Sequence, residues 1–195
     1  LDDEIIAVTG SAGKTTCVRV LESVISELFP EKQVIRMYKY RLTPITLPLM
    51  YFETLLGDKD FSKRTVILEM ATDNPGCINT LCSILQPTIS VVLNVEDAHI
   101  NIFGSQDAIA KAKSEIVLGT KSGGVTFLNA NDPYVLKMKG INPDIQNIIY
   151  GDLDNIHAKI ISFSENMDST TVVLKNKTEE QIFKSSFISL SMNTV

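Results

Sequence analysis

The stretch Val8–Thr16, VTGSAGKTT, follows the apolar run Glu4–Val8 (EIIAV). It opens a segment, Lys14–Leu28, in which Val18, Leu21, Val24, Ile25 and Leu28 recur at helical spacing. A strand that turns through glycines straight into a helix gathers backbone N–H groups and the positive helix end at one point, where an anion binds. In the usual phosphate loop the first glycine stands five positions before the glycine of Gly-Lys-Thr. Here Val8 occupies that place and the nearest glycine is Gly10, three before Gly13, so the stretch is a shortened form of the pattern. Gly10 and Gly13 let the main chain approach an anion, Lys14 reaches terminal phosphates, and the Thr15 hydroxyl suits a magnesium ion. A glycine turn with a threonine cap is the competing reading of the same residues.

Outward from this loop, short apolar runs alternate with helical patterns. Strands are expected at Val34–Met37, Thr65–Leu68, Thr88–Leu93 and Gly124–Leu128, and helices at Leu47–Leu56, Cys77–Leu85 and Gln106–Leu118. That alternation means βαβ units. The expected fold is α/β, P-loop NTPase-like, with a mostly parallel sheet covered by helices on both faces. After about Asn147 the texture changes to short alternating segments (HAKIISFSEN, STTVVLKNK, EEQIFKSSF), which predict a small antiparallel β flap. The organisation read from this is a core over 1–146 and an antiparallel extension of the same domain over 147–195.

Composition narrows the function. A formal net charge of −5 leaves no basic footprint for nucleic acid or an anionic membrane. Three scattered cysteines, Cys17, Cys77 and Cys82, have no metal-ligand spacing and suit a reduced, cytoplasmic protein. No signal peptide and no membrane-length apolar run is present.

In an open α/β sheet, ligands bind beyond the carboxyl ends of the strands. Thr65–Leu68 ends in Glu69, and Thr88–Leu93 ends in Asn94 followed by Val95-Glu96-Asp97-Ala98-His99. Glu69 and His99 therefore fall at the same end of the sheet as the loop, where a carboxylate is placed to hold magnesium. In the helix that Ser105 caps, Ile109, Ala112, Lys113, Ile116 and Val117 share one stripe, so Lys113 is expected on the apolar face. An inward lysine is tolerated by snorkelling, by pairing with an acid such as Glu115, or by chemical use as a neutral amine.

Taken together, GSAGKTT, LEMATDNPG, NVEDAHINIFGSQDAIAKAKSEI and LNANDP, in this order from about Ile5 to Pro133, resemble the central ATP-binding domain of the Mur ligases. Members of that family are ATP-dependent amide ligases that build the peptide of bacterial cell-wall precursors. GKTT sets the chain apart from the related folylpolyglutamate synthases, which carry GKGS in this loop. The Glu69 segment with NPG, and the AH…FGS…AKAKSEI segment, are most similar to the branch that adds D-alanyl-D-alanine to a UDP-N-acetylmuramoyl-tripeptide.

The resemblance implies that Gly10, Ser11, Ala12, Gly13, Lys14, Thr15 and Thr16 hold the phosphates of ATP, with Lys14 on the terminal ones. It implies two magnesium ions, the first on Thr15 and Glu69, the second on Glu69 and His99. Lys113 matches the lysine that family members carbamylate, so that it faces the second metal as an anion. By the same resemblance Asn94 lies near the nucleotide, and Asn129 and Asp132 lie near the adenine and ribose. Lys14, Lys113 and His99 are the catalytic candidates. The implied protein is a cytoplasmic monomer acting on a UDP-MurNAc-peptide, without nucleic-acid or membrane partners. The UDP-sugar-binding domain before this one and the C-terminal domain after it are not in the chain, so the isolated domain is expected to be inactive in ligation. Departures are Asn129-Ala130-Asn131-Asp132 for Asn-Ala-Asp-Asp, Glu96-Asp97-Ala98-His99 for Gly-Glu-Ala-His, and Thr43-Pro44, which is similar to the diaminopimelate- or lysine-adding branch. The amino-acid substrate stays open, as do a cyanophycin- or polyglutamate-type ligase and a non-catalytic nucleotide-binding module.

Overall fold

The computed structural model describes residues 3–37, 40–57, 64–97 and 100–151, and the backbone alone of 158–165, 170–176 and 180–185. The chain divides into two compact units, Leu1–Ile148 and Ile149–Val195.

In the first unit, five strands lie in the order β2-β3-β1-β4-β5: β1 (Glu4–Thr9), β2 (Gln33–Met37), β3 (Arg64–Glu69), β4 (Ile89–Val92) and β5 (Val125–Asn129). All four pairings among them are parallel. β1 is central and β3 packs beside it. Both are buried almost end to end, as strands covered on two faces must be. β6 (Gln146–Gly151) begins alongside β5, where Gln146 N–H donates to the Gly124 carbonyl at 2.9 Å. This strand falls at the junction where the sequence shows only a change of texture, because QNIIYG is too short to carry a clear period. In the second unit, β7 (Ala158–Glu165), β8 (Thr170–Asn176) and β9 (Glu180–Ser185) pair antiparallel in succession.

Helices cover both faces of the parallel sheet. On one side α1 (Lys14–Leu28) drives Val18 onto Ile6, Val8 and Ile67, with Leu21 and Ile25 beside them. On the other lie α3 (Cys77–Ile84) and α5 (Gln106–Gly119), packed on each other. α2 (Thr46–Gly57) starts at a cap in which Thr43 Oγ1 accepts from Ile45 and Thr46 N–H. Two one-turn helices that periodicity cannot detect, α4 (Ile100–Phe103) and α6 (Pro133–Leu136), complete the unit.

The foot of α5 is held by hydroxyls: Thr120 Oγ1 donates to Ser90 Oγ at 2.8 Å, and Ser90 Oγ lies 2.7 Å from Thr126 Oγ1. α3 and α5 meet at Gly119, where a Cβ would stand 2.5 Å from Cys82 Cβ and 2.8 Å from its Sγ. Gly119→Ala is therefore expected to destabilise the domain by about 1–3 kcal/mol, as overpacking does, read as a lower denaturant midpoint at unchanged slope.

Candidate nucleotide site

The loop between β1 and α1 is shaped by its two glycines and tied down from the end of β4. Gly13 caps α1 with φ 78° and ψ −2°, the left-handed region that a side chain disfavours. Gly10 is required for space, since a Cβ there would stand 2.9 Å from Leu93 Cβ and 3.2 Å from the Ala12 carbonyl oxygen. Asn94, just past β4, grips the loop with both ends of its amide: Oδ1 accepts from Ala12 N–H at 2.9 Å, and Nδ2 donates to the Ala12 carbonyl at 3.4 Å. Ser11 N–H donates to the Asn94 carbonyl at 3.1 Å. Ser11 Oγ donates to the Glu96 carbonyl and accepts from Glu96 N–H. No side chain caps the first turn of α1, so its N–H groups stay open to an anion. Lys14 Nζ lies back on the loop, donating to the carbonyls of Gly10 at 2.9 Å and Ser11 at 3.2 Å. Thr16 is exposed on the same turn.

Glu69 ends β3 in register with Val8, and its Oε2 accepts from Thr15 Oγ1 at 2.7 Å. A hydroxyl and a carboxylate beside a glycine loop at a helix N-terminus are hard oxygen donors of the kind magnesium takes, so this pair fits such an ion. Among the described residues no group of three or more His, Cys, Asp or Glu gathers to hold a metal. His99 lies outside the described residues.

Asn129 and Asp132 brace the segment that carries Asn94. Asn129 Nδ2 donates to the Leu93 carbonyl at 2.8 Å. Asp132 accepts from Val95 N–H at 2.6 Å and caps α6 through the N–H groups of Tyr134 and Val135. These bonds span 36 and 37 residues of sequence, which is why only the fold reveals them.

Lys113 is buried, 5% exposed, and the five residues of the predicted stripe are the five buried residues of α5. Glu115 does not serve Lys113, because its two carboxylate oxygens accept from the backbone N–H groups of Gly76 and Asn79 at the start of α3. Burial, and then the nearby charge of Lys14, push the Lys113 amine down from 10.5 to about 8. The shift enlarges the neutral fraction of the amine, and a neutral amine is the form that reacts with carbon dioxide.

Beside Thr15 and Glu69 opens a cavity of about 420 Å³, lined also by Arg19, Arg36, Tyr40 and Arg41. Glu22 pairs with Arg36 and Asp73 with Arg41, whereas Arg19 meets no acid among the described residues. Sequence reasoning missed this basic lining, although Arg19 stands four residues after Thr15 and so on the same face of α1.

The Mur ligase middle domain family matches residues 8–191. The UDP-N-acetylmuramoyl-tripeptide--D-alanyl-D-alanine ligase of Mycobacterium leprae is 37% identical over 140 residues, covering 69% of this chain and 24% of that protein. The protein of the same name from Synechocystis sp. is 35% identical over 133 residues, covering 68% of this chain and 28% of its own. Among solved structures, MurF from Acinetobacter baumannii superposes with a TM-score of 0.82 at 23% identity, over 96% of this chain and 39% of that one. MurF ligase from Thermotoga maritima in complex with ADP gives 0.78 at 24% identity, over 94% of this chain and 40% of that one. At such identities the structures establish a common fold. The chain spans about a quarter of the length of the first of these curated relatives. A family match running from the strand before the loop through nearly the whole chain, joined by relatives more than a third identical, makes this chain a member of the Mur ligase family, in its middle domain.

Proposed function

We propose that this chain is the ATP-binding domain of an amide-forming ligase that adds D-alanyl-D-alanine to a UDP-N-acetylmuramoyl-tripeptide in peptidoglycan precursor synthesis. The observation that carries it is the Thr15–Glu69 hydrogen bond at the mouth of a braced Gly10–Gly13 loop. ATP, when bound, supplies the phosphoryl group that converts a substrate carboxylate to an acyl phosphate open to attack by an amine. The chain's own part is placement and charge neutralisation, which phosphoryl transfer needs more than a protein nucleophile. Loop N–H groups and Lys14 take the phosphates, and Thr15 and Glu69 hold a magnesium ion. Glu69 and His99 would hold a second, which a carbamylated Lys113 would face. The arginine-lined cavity suits a substrate bearing carboxylates. A monomeric, cytoplasmic protein completes the reading; the free thiols of Cys17, Cys77 and Cys82 suit a reducing compartment. Among the described residues no helix is long and apolar enough to cross a membrane.

The diaminopimelate-type alternative rests on Thr43-Pro44. Capping of α2 gives Thr43 a structural role that needs no substrate. Calorimetric titration of the chain with ATP and magnesium tests the central reading. Lys14→Ala is expected to weaken binding about 10- to 100-fold, the worth of charge-assisted hydrogen bonds to phosphate, and omission of magnesium is expected to weaken it further. Equal binding by both proteins, independent of magnesium, would show the loop to be only a turn.

A further inference from the structure

One buried polar side chain beside the loop has no hydrogen-bond partner among the described residues: Thr9, the last residue of β1, is 0% exposed and its Oγ1 makes no hydrogen bond. A second buried polar group, Lys113, lies on α5. A buried hydroxyl without a partner is costly and calls for an explanation, of which a partner that arrives later is one.

The fold places the two groups on one face and at one height. Along β1, Ile6 and Val8 pack towards Val18 of α1, so alternation turns Ala7 and Thr9 to the opposite face. That face belongs to α5: Ser90, the register partner of Ala7, is bonded to Thr120 at the foot of α5. α5 climbs from there towards the carboxyl ends of the strands, where Gln106 Nε2 donates to the Val95 carbonyl. Lys113 is seven residues above Thr120, which at 1.5 Å per helical residue is about 10 Å. Three strand residues rise by about the same amount, from Ser90 to Leu93. Leu93 N–H in turn donates to the Thr9 carbonyl at 3.0 Å. Lys113 therefore stands level with Thr9 on the same side of the sheet, with Lys14 close enough to disfavour its cationic form.

We propose that Thr9 is a positioning residue for Lys113: its hydroxyl donates a hydrogen bond to the carboxylate formed when Lys113 takes up carbon dioxide, and fixes that group beside the cradle. The inference rests on the reading of Lys113 as the carbon dioxide acceptor. In the step, the Nζ lone pair attacks the carbon of carbon dioxide and an N–C bond forms. One C=O π pair moves onto oxygen, one amine proton leaves to solvent, and nothing is oxidised or reduced. The product removes the repulsion between Lys14 and Lys113 and replaces it with attraction. It also gives the orphaned Thr9 hydroxyl an acceptor.

The test is ¹³C NMR of the protein in ¹³C-bicarbonate, with Lys113→Met identifying the carbamate resonance by its loss. Thr9→Val keeps the shape and β-branching of the side chain and deletes the hydroxyl. It is expected to lower carbamate occupancy about tenfold at fixed bicarbonate, the worth of one hydrogen bond to a charged group, while Thr9→Ser stays within about twofold of the parent. Equal occupancy in the valine variant and the parent would overturn the role of Thr9 and leave Lys113 as acceptor. A parent spectrum with no resonance that Lys113→Met removes would overturn the reading of Lys113, and the role of Thr9 with it. Circular dichroism checks the fold, and if the valine variant does not fold, Thr9→Ala takes its place under the same criteria.

Discussion

If the proposed function holds, Lys113→Met, introduced into the full-length protein, is expected to cut the rate of amide formation by about 10²–10³-fold, the scale of removing one preorganised electrostatic group from a reacting centre. The KM for ATP is expected to hold nearly constant, because the proposed function puts the phosphates on the Gly10–Gly13 loop and Lys14. A loss confined to kcat marks an interaction made in the transition state, and steady-state kinetics with both substrates varied reads it directly. A large rise in the KM for ATP would instead place Lys113 in nucleotide binding.

In buffer free of carbon dioxide, where Lys113 stays an amine, the same substitution is expected to stabilise the fold, in a pH-dependent way. The Lys113 amine is lowered to about 8 in the folded chain from 10.5. Below pH 8 the unfolded chain holds its proton comfortably and the folded chain holds it at a cost, so the penalty is fully present there. At 1.36 kcal/mol per pKa unit it reaches about 3 kcal/mol. As pH rises from 8 to 10.5, the unfolded chain binds more protons than the folded one and the penalty fades. The gain in melting temperature from Lys113→Met should therefore be largest below pH 8 and shrink above it. Cys17, Cys82 and Tyr51 have raised values and lose stability in the same alkaline range, but they are common to both proteins and cancel in the difference. Activity and stability move in opposite directions at this one residue, as expected of a strained functional group.

Asp3→Ala is expected to have the largest effect on stability, about 3–5 kcal/mol, because it takes the Asp3 carboxylate away from a buried guanidinium. The Arg64 side chain is 0% exposed and the Asp3 side chain 4%, with Arg64 Nη2 3.2 Å from Asp3 Oδ2. Tyr51 donates its hydroxyl to the same carboxylate oxygen at 2.6 Å, and burial followed by that bond pushes the phenol up to about 12. Against the ~5–15 kcal/mol of a typical domain, such a loss removes a large part of the total. Tyr51→Phe removes only one hydrogen bond and is expected to cost nearer 1 kcal/mol. Replacing both charges, Asp3→Leu with Arg64→Met, is expected to recover most of the loss, since no charge is then left alone. Urea denaturation of the four proteins measures all three.

What could be read without the fold was whatever repeats locally. Runs such as EIIAV and TVIL mark buried parallel strands, and the stripe Ile109–Val117 marks the face of α5 that puts Lys113 inside. Partnerships across distance left no trace in the sequence. Asp3 finds Arg64 across 61 residues, and Asp132 finds Val95 across 37. The role of Thr9 was hidden for a related reason. Its side of the sheet is set by alternation along β1, but which helix covers that side is decided by the strand order, with β4 brought next to β1 from later in the chain. The one-turn helices α4 and α6 are shorter than any apolar period, and α6 is fixed by the Asp132 cap and Pro133 at its first turn rather than by a hydrophobic stripe.

The two carbonyls that hold Lys14 Nζ have a consequence for ligand choice. The Gly10 and Ser11 oxygens act as a stand-in for an anion, keeping the amine poised over the loop. A newcomer must win Lys14 from both. A single weakly charged group that meets only the amine merely exchanges one set of oxygens for another. Under the proposed function a polyphosphate wins because it would engage the loop N–H groups at the same moment, and one molecule would then satisfy donors that the carbonyls leave open. The resting loop is in this sense a filter for ligand length and charge, set by competition within the backbone itself.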